Sequence, residues 1–81
     1  MIAILINQDI RKINAFFKTA IKPEIDDIVK ELSLTELQLT IFYMRYIQRQ
    51  NINFIADNLL FSKDKINNEL AVIRKKILKV L

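Results

Sequence analysis

The sequence predicts an all-α fold, a small bundle of about five helices containing a helix-turn-helix. Three observations predict it. Apolar residues recur at three- and four-residue spacings along most of the chain, which marks helical faces rather than alternating strands. The 81 residues include no Gly, and the single Pro stands at a break between two apolar runs. Cap-forming residues, Ser33 or Thr35, Asn51 and Ser62, open successive runs. A chain of this length has room for one core, so 1–81 is one domain. Within it, 1–32 form an N-terminal helical extension to a unit spanning 33–81.

Ile6, Ile10, Ile13, Phe17 and Ile21 follow one helical face, and the first helix is expected at about 3–20, with extended backbone as the alternative over its AILI start. Pro23 breaks the chain and is well placed in the first turn of a second helix, about 23–31. Glu24, Asp26 and Asp27 suit the positive end of that helix, and Ile25, Ile28, Val29 and Leu32 supply its buried side. The third helix begins at Ser33-Leu34-Thr35-Glu36, where Thr35 or Ser33 can cap and Ser33 with Glu36 fits a capping box. Its apolar face reads as Leu39, Phe42, Met44, Tyr46 and Ile47, with Leu37, Ile41 and Tyr43 around it; so many apolar sides place it centrally. Gln48-Arg49-Gln50 ends it. Asn51 caps a short helix, 52–59, buried through Ile52, Ile55, Ala56 and Leu59. Leu60-Phe61 is a turn, and Ser62 caps a last helix over 63–80 with Ile66, Leu70, Ile73, Ile77 and Val80 on one face.

Composition excludes most site chemistry. With no Cys there is no disulfide and no thiolate; with no His there is no imidazole base and no zinc site of the usual kind. With no Gly there is no phosphate-cradling glycine loop. Asp26-Asp27 reads as a solvated face rather than an acid/base pair. Neither an enzyme activity nor a cofactor or metal is expected. The apolar start, MIAILI, is six residues long against about 20 for a membrane span, and lacks the leading positive charge of a signal peptide. A cytoplasmic protein with no membrane partner is expected.

The net charge of +4 is unevenly placed. Residues 1–62 carry seven basic and seven acidic side chains, whereas 63–81 carry six basic and two acidic. A basic excess confined to the last helix is the footprint of a polyanion binder, although basic residues near a helix C-terminus also suit its dipole. The order of elements agrees with the first meaning. A short helix with a small Ala56 at the crossing, a tight turn and a capped basic helix form a helix-turn-helix, in which the second helix enters the major groove.

The stretch from Leu34-Thr35-Glu36 to Lys76-Ile77 resembles the promoter-reading C-terminal domain, region four, of bacterial sigma factors, and more loosely the LuxR-type regulator domain. The residues that carry the resemblance are Leu34, Ile41-Phe42, Met44-Arg45-Tyr46-Ile47-Gln48, Ile55-Ala56-Asp57, Leu59, Phe61-Ser62, Ile66, Leu70 and Arg74-Lys75-Lys76-Ile77, all in register without a gap. The match covers roughly half of the chain. Leu37-Gln38 stand where the family has Arg-Glu, Arg49 and Leu60 where it has two glycines, and Lys65-Ile66-Asn67 where it has Thr-Val-Lys. The resemblance implies the fold and duplex DNA as ligand; the family's specific promoter contacts do not carry over. With 81 residues there is no room for the sigma domain that opens promoter DNA, so a complete sigma factor is not expected.

Helical geometry names the DNA face independently. At about 100° per residue, Ile66, Leu70, Ile73 and Ile77 share a narrow arc. Asp64, Asn68, Ala71, Lys75 and Lys79 lie opposite, flanked by Lys65 and Asn67. Lys63, Asp64, Lys65, Asn67, Asn68 and Ala71 are the candidates for base contact: Asn suits adenine, Asp can accept from cytosine, and Ala71 suits a thymine methyl. Arg74, Lys75 and Lys79 are candidates for phosphate, as are Arg49, Asn51 and Asn53 at the start of the shorter helix. The expected function is sequence-specific binding of double-stranded DNA by a small transcriptional regulator. Two other readings remain: a module that docks on RNA polymerase or another regulator without touching DNA, and a helical oligomer with no regulatory role. A homodimer is expected from the long apolar first helix and from Val72, Leu78 and Leu81 on the last, unless the N-terminal helices fold back and cover that surface within one chain.

Overall fold

The computed structural model describes residues 2–81, with side chains from Gln8 onward. The expected face position Ile6 therefore lies outside the described side chains. Five helices and no strand are found among the described residues: α1 (Ile2–Thr19), α2 (Lys22–Leu32), α3 (Glu36–Phe42, continued without a break by a π-helical segment, Tyr43–Ile47), α4 (Ile52–Leu59) and α5 (Lys63–Val80). No described helix is long and apolar enough to cross a membrane.

The core is built on α5. Its stripe Ile66, Leu70, Ile73 and Ile77 is almost wholly removed from solvent, and α1, α2, α3 and α4 all pack against this helix. Ile13 and Phe17 of α1, Leu32 of α2, Ile41, Phe42 and Met44 of α3 and its extension, and Ile55 and Ala56 of α4 complete the same cluster. The extension 1–32 therefore does not stand apart from the unit 33–81. Its first helix folds back, and Phe17, part of the apolar surface that suggested a dimer, is buried within the chain.

Cap chemistry decides where the helices begin. Three N-caps satisfy an otherwise unpaired backbone N–H. Thr35 Oγ1 accepts from the Gln38 N–H at 3.2 Å, Asn51 Oδ1 from Phe54 at 2.8 Å, and Ser62 Oγ from Lys65 at 3.1 Å. The capping box expected from Ser33 and Glu36 is instead formed by Thr35 and Gln38, whose Oε1 accepts back from the Thr35 N–H at 3.2 Å. Ser33 cannot be the N-cap because it ends α2, in left-handed backbone at φ 52°. At α2, Ile21 caps without a side-chain acceptor, and Glu24 compensates by accepting from the Ile21 N–H at 3.1 Å.

The π-helical segment was not expected. Its wider turn shows in the Gln48 N–H, which donates to the Tyr43 carbonyl at 2.9 Å, five residues back. The turn lets Phe42 and Tyr46 meet Phe17 together: Phe17 stacks on Tyr46 at 5.2 Å and meets Phe42 edge-on at 5.4 Å. Such pairs stabilise by about 0.5–1.5 kcal/mol each beyond burial of their area. The change of period also alters the expected face. Ile41 lies in the core, whereas Ile47, expected inside, is 38% exposed.

With no Gly in the chain, three other residues take left-handed backbone: Ser33, Arg49 and Leu60. Leu60 closes α4, where the Ala56 carbonyl accepts from the N–H of both Leu60 and Phe61, so the αL residue supplies the cap that Gly usually provides. Leu60 is also 90% exposed, so nothing packs on it to offset the strain.

Two outcomes are expected. Ala56, 3% exposed on α4 in the core cluster shared with α5, leaves no room for a larger side chain. Ala56→Leu should destabilise by about 1–3 kcal/mol in denaturant titration, and unchanged stability would mean that the packing around Ala56 is looser than described. Leu60→Asn should do the reverse. Asn tolerates left-handed backbone and no packing is lost, so a gain of about 1 kcal/mol, roughly 4–8 °C in melting temperature, is expected.

Candidate nucleic-acid interface

Ser62 caps the start of α5, and the turn Leu60–Ser62 joins it to α4. Because the buried stripe occupies one side of α5, the opposite side is presented outward along its length. Lys63, Asp64, Lys65, Asn67 and Asn68 in the first two turns are exposed, as are Lys75 and Lys79 further on. Asp64, Asn68, Lys75 and Lys79 form one column on this outer face, with Val72, 40% exposed, beside it.

The cations of α5 are not equivalent. Lys65 Nζ lies 3.3 Å from Glu69 Oε1, an ion pair one helical turn long. Lys76 turns the other way: its Nζ donates to the Ser33 carbonyl at 3.1 Å and approaches Gln38 Oε1 at 3.5 Å. It thus holds the end of α2 and the start of α3 against α5. Arg74 is half-buried, with its guanidinium beside the Tyr46 hydroxyl, because its position on the helix points toward the aromatic cluster rather than outward. Burial pushes the Tyr46 hydroxyl up from its ordinary pKa, and the nearby Arg74 and Arg45 hold back part of that rise.

Ala71 is half-buried. With Arg74, Lys75 and Leu78 it lines a cleft of about 250 Å³, whose other wall is Asp9 and Ile10 of α1. The second half of α5 is therefore shouldered by α1, and the first two turns are the less obstructed part of the helix.

The candidates near α4 are divided in the same way. Asn51 and Asn53 are exposed at its start, but the Asn51 side-chain carbonyl already holds the Phe54 N–H, which leaves its amide group to face outward. Arg49 is exposed and lies on a second cleft of about 340 Å³, between α1 and the π-helical segment. Asn14, Ala15, Phe17, Lys18, Arg45 and Tyr46 line the rest of that cleft. Its Lys18, Arg45, Asn14 and Tyr46 were not among the sequence candidates. Arg45 and Arg49 stand four residues apart in sequence, but that α1 would bring Asn14 and Lys18 opposite them could not be seen there.

Gln38, where the family pattern of the resemblance has Glu, is the one polar residue buried among those described, at 8% exposure. Its side chain, together with Lys65 and Lys76, holds the Glu69 carboxyl below the ordinary carboxylate range; the Gln38 contact is the largest cause, and burial opposes it.

Comparison of the chain with known protein families, with curated proteins and with solved structures finds no match.

The Glu69 contacts make an acid limb in stability. A carboxyl held below its ordinary value contributes stability that is present above the ordinary carboxylate range and is lost as pH falls through its folded value. Wild type should therefore melt above Glu69→Gln at neutral pH, with the gap closing as pH falls below the ordinary carboxylate range. A gap that does not change with pH would separate Glu69 from the Gln38–Lys76 network.

Proposed function

We propose that this chain binds double-stranded DNA by placing the outer face of α5 in the major groove, and that it acts as a small transcriptional regulator of the region-four type. The observation that carries the reading is the column Asp64, Asn68, Lys75 and Lys79, exposed on the side of α5 directly away from its buried stripe. It stands on a helix joined to the shorter α4 by a three-residue turn. Asn68 and its neighbours at the start of α5 read base edges, Lys75 and Lys79 meet phosphate, and the exposed start of α4 meets the flanking backbone.

Two further observations support the family reading. Arg49 and Leu60, at the positions where the family pattern holds glycine, both have left-handed backbone, at φ 57° and 61°. Glycine is the residue such positions favour. Ala56, the small residue of the pattern, is buried in the core cluster that α4 shares with α5.

A second reading has an observation of its own. Phe54, Leu60 and Phe61, on α4 and the turn after it, are exposed by 45%, 90% and 42%. Apolar side chains left outside on α4 and the following turn suit docking on RNA polymerase or another regulator without DNA contact.

Titration of labelled duplex DNA separates the two. Binding through phosphate contacts should weaken steeply with salt, and Lys75→Ala with Lys79→Ala should lower affinity for all sequences alike, with the logarithmic salt slope reduced by about 2. Asn68→Ala should instead change the preference among duplexes, with about 1–3 kcal/mol lost per base contact. No binding at low salt would leave the protein-docking reading.

A further inference from the structure

We infer that the cleft between α1 and the π-helical segment is a phosphate site, and that in the DNA complex it holds a backbone phosphate outside the groove that α5 enters. The inference rests on the DNA reading above and extends the interface to α1, which lies outside the helix-turn-helix.

The cleft gathers three cations, Lys18, Arg45 and Arg49, and no carboxylate among its lining residues. The ion pair found among the described residues, Lys65 with Glu69, involves none of them. Like charges brought together repel, and none of the residues lining the cleft is an anion that would offset the repulsion. A bound phosphate would, and arginine forks match its oxygens in pairs. The cleft is also held in shape before anything binds. Phe17 and Tyr46 stack within its wall, and Arg45 Nη1 donates to the Gln50 carbonyl at 3.1 Å, which orients the guanidinium. The Asn14 amide adds a neutral donor.

A polymer suits the position better than a small free anion. Tyr46 lines this cleft and stands beside Arg74, which lines the neighbouring cleft with Lys75 of the outer face of α5. The basic residues thus run from α5 through Arg74 and Arg45 to Arg49 and Lys18, a path longer than one phosphate. Asp9 lines the neighbouring cleft beside Arg74 and Lys75, and it is absent from the lining of the cleft that holds Lys18, Arg45 and Arg49.

The test uses the double variant Lys18→Gln, Arg49→Gly. Lys18 is exposed, and Gly suits the left-handed backbone at position 49, so the fold is retained; the melting temperature checks this. On a random-sequence duplex, affinity should fall by about tenfold and the salt slope should shrink by about 1, the loss of one phosphate contact. If wild type binds duplex, Lys75→Ala with Lys79→Ala weakens it, and the cleft variant matches wild type in affinity and slope, the DNA reading stands and this inference is overturned. If wild type binds no duplex, the DNA reading falls and with it the backbone assignment. Titration of inorganic pyrophosphate, followed by amide NMR shifts, then decides the cleft itself. Saturable shifts over residues 14–18 and 45–49 that vanish in the variant uphold a phosphate site for a small anion, and no shift removes it.

Discussion

Everything in this protein leans on the apolar stripe of α5. Ile66, Leu70, Ile73 and Ile77 form the surface on which the other four helices pack. The chain has no disulfide to share that burden, and burial of apolar area is the dominant favourable term for a domain of this size. The stripe has a second effect. By committing one side of the helix to the core, it forces the other side outward. A surface that reads a ligand by geometry needs such support, and here the support and the presented face belong to one 18-residue helix.

Charge on α5 is divided between holding the fold and facing solvent. Lys76 reaches the Ser33 carbonyl and Gln38, Lys65 pairs with Glu69, and Arg74 stands at Tyr46. These three link α5 to the end of α2, to its own next turn and to the π-helical segment. Lys63, Lys75 and Lys79 remain on the outside. Counting the basic residues of the last helix therefore overstates the charge open to a ligand at that face. The cleft beside α1 adds cations elsewhere, Lys18, Arg45 and Arg49, which come from segments that are neutral when summed along the chain.

The absence of glycine has a structural consequence at two turns. Arg49 and Leu60 adopt a backbone that costs a side-chain-bearing residue about 1–2 kcal/mol, and both turns form because carbonyls at the helix ends gain partners. The Met44 carbonyl accepts from Gln50, and the Ala56 carbonyl from Phe61. At position 49 the strained residue also carries a guanidinium to the edge of the basic cleft, which glycine would not.

Much of the fold was legible in the residues. The period of the apolar positions in 66–77, the caps Asn51 and Ser62, and the break at Pro23 are local signals, and each helix was foreseen to within a residue or two. The burial of Ala56 followed from its place on the apolar side of 52–59. The outer column of α5 followed from the same period, since a helix that buries one arc must present the opposite one. What the sequence did not decide depends on which helices meet. The π-helical turn answers to Phe17, more than twenty residues away, and it moves Ile47 outward. The choice of Thr35 over Ser33 as cap depends on Ser33 being used to end α2. The roles of Arg74, Lys76 and Ala71 were set by the neighbours that cover them, and the cleft of Lys18, Arg45 and Arg49 exists only because α1 folds back. Periodicity and caps are properties of a few adjacent residues, so the sequence alone determined the helices and their faces. Contacts between distant segments arise from packing around a shared core, and only the tertiary structure decided which charges were tied down and which were gathered.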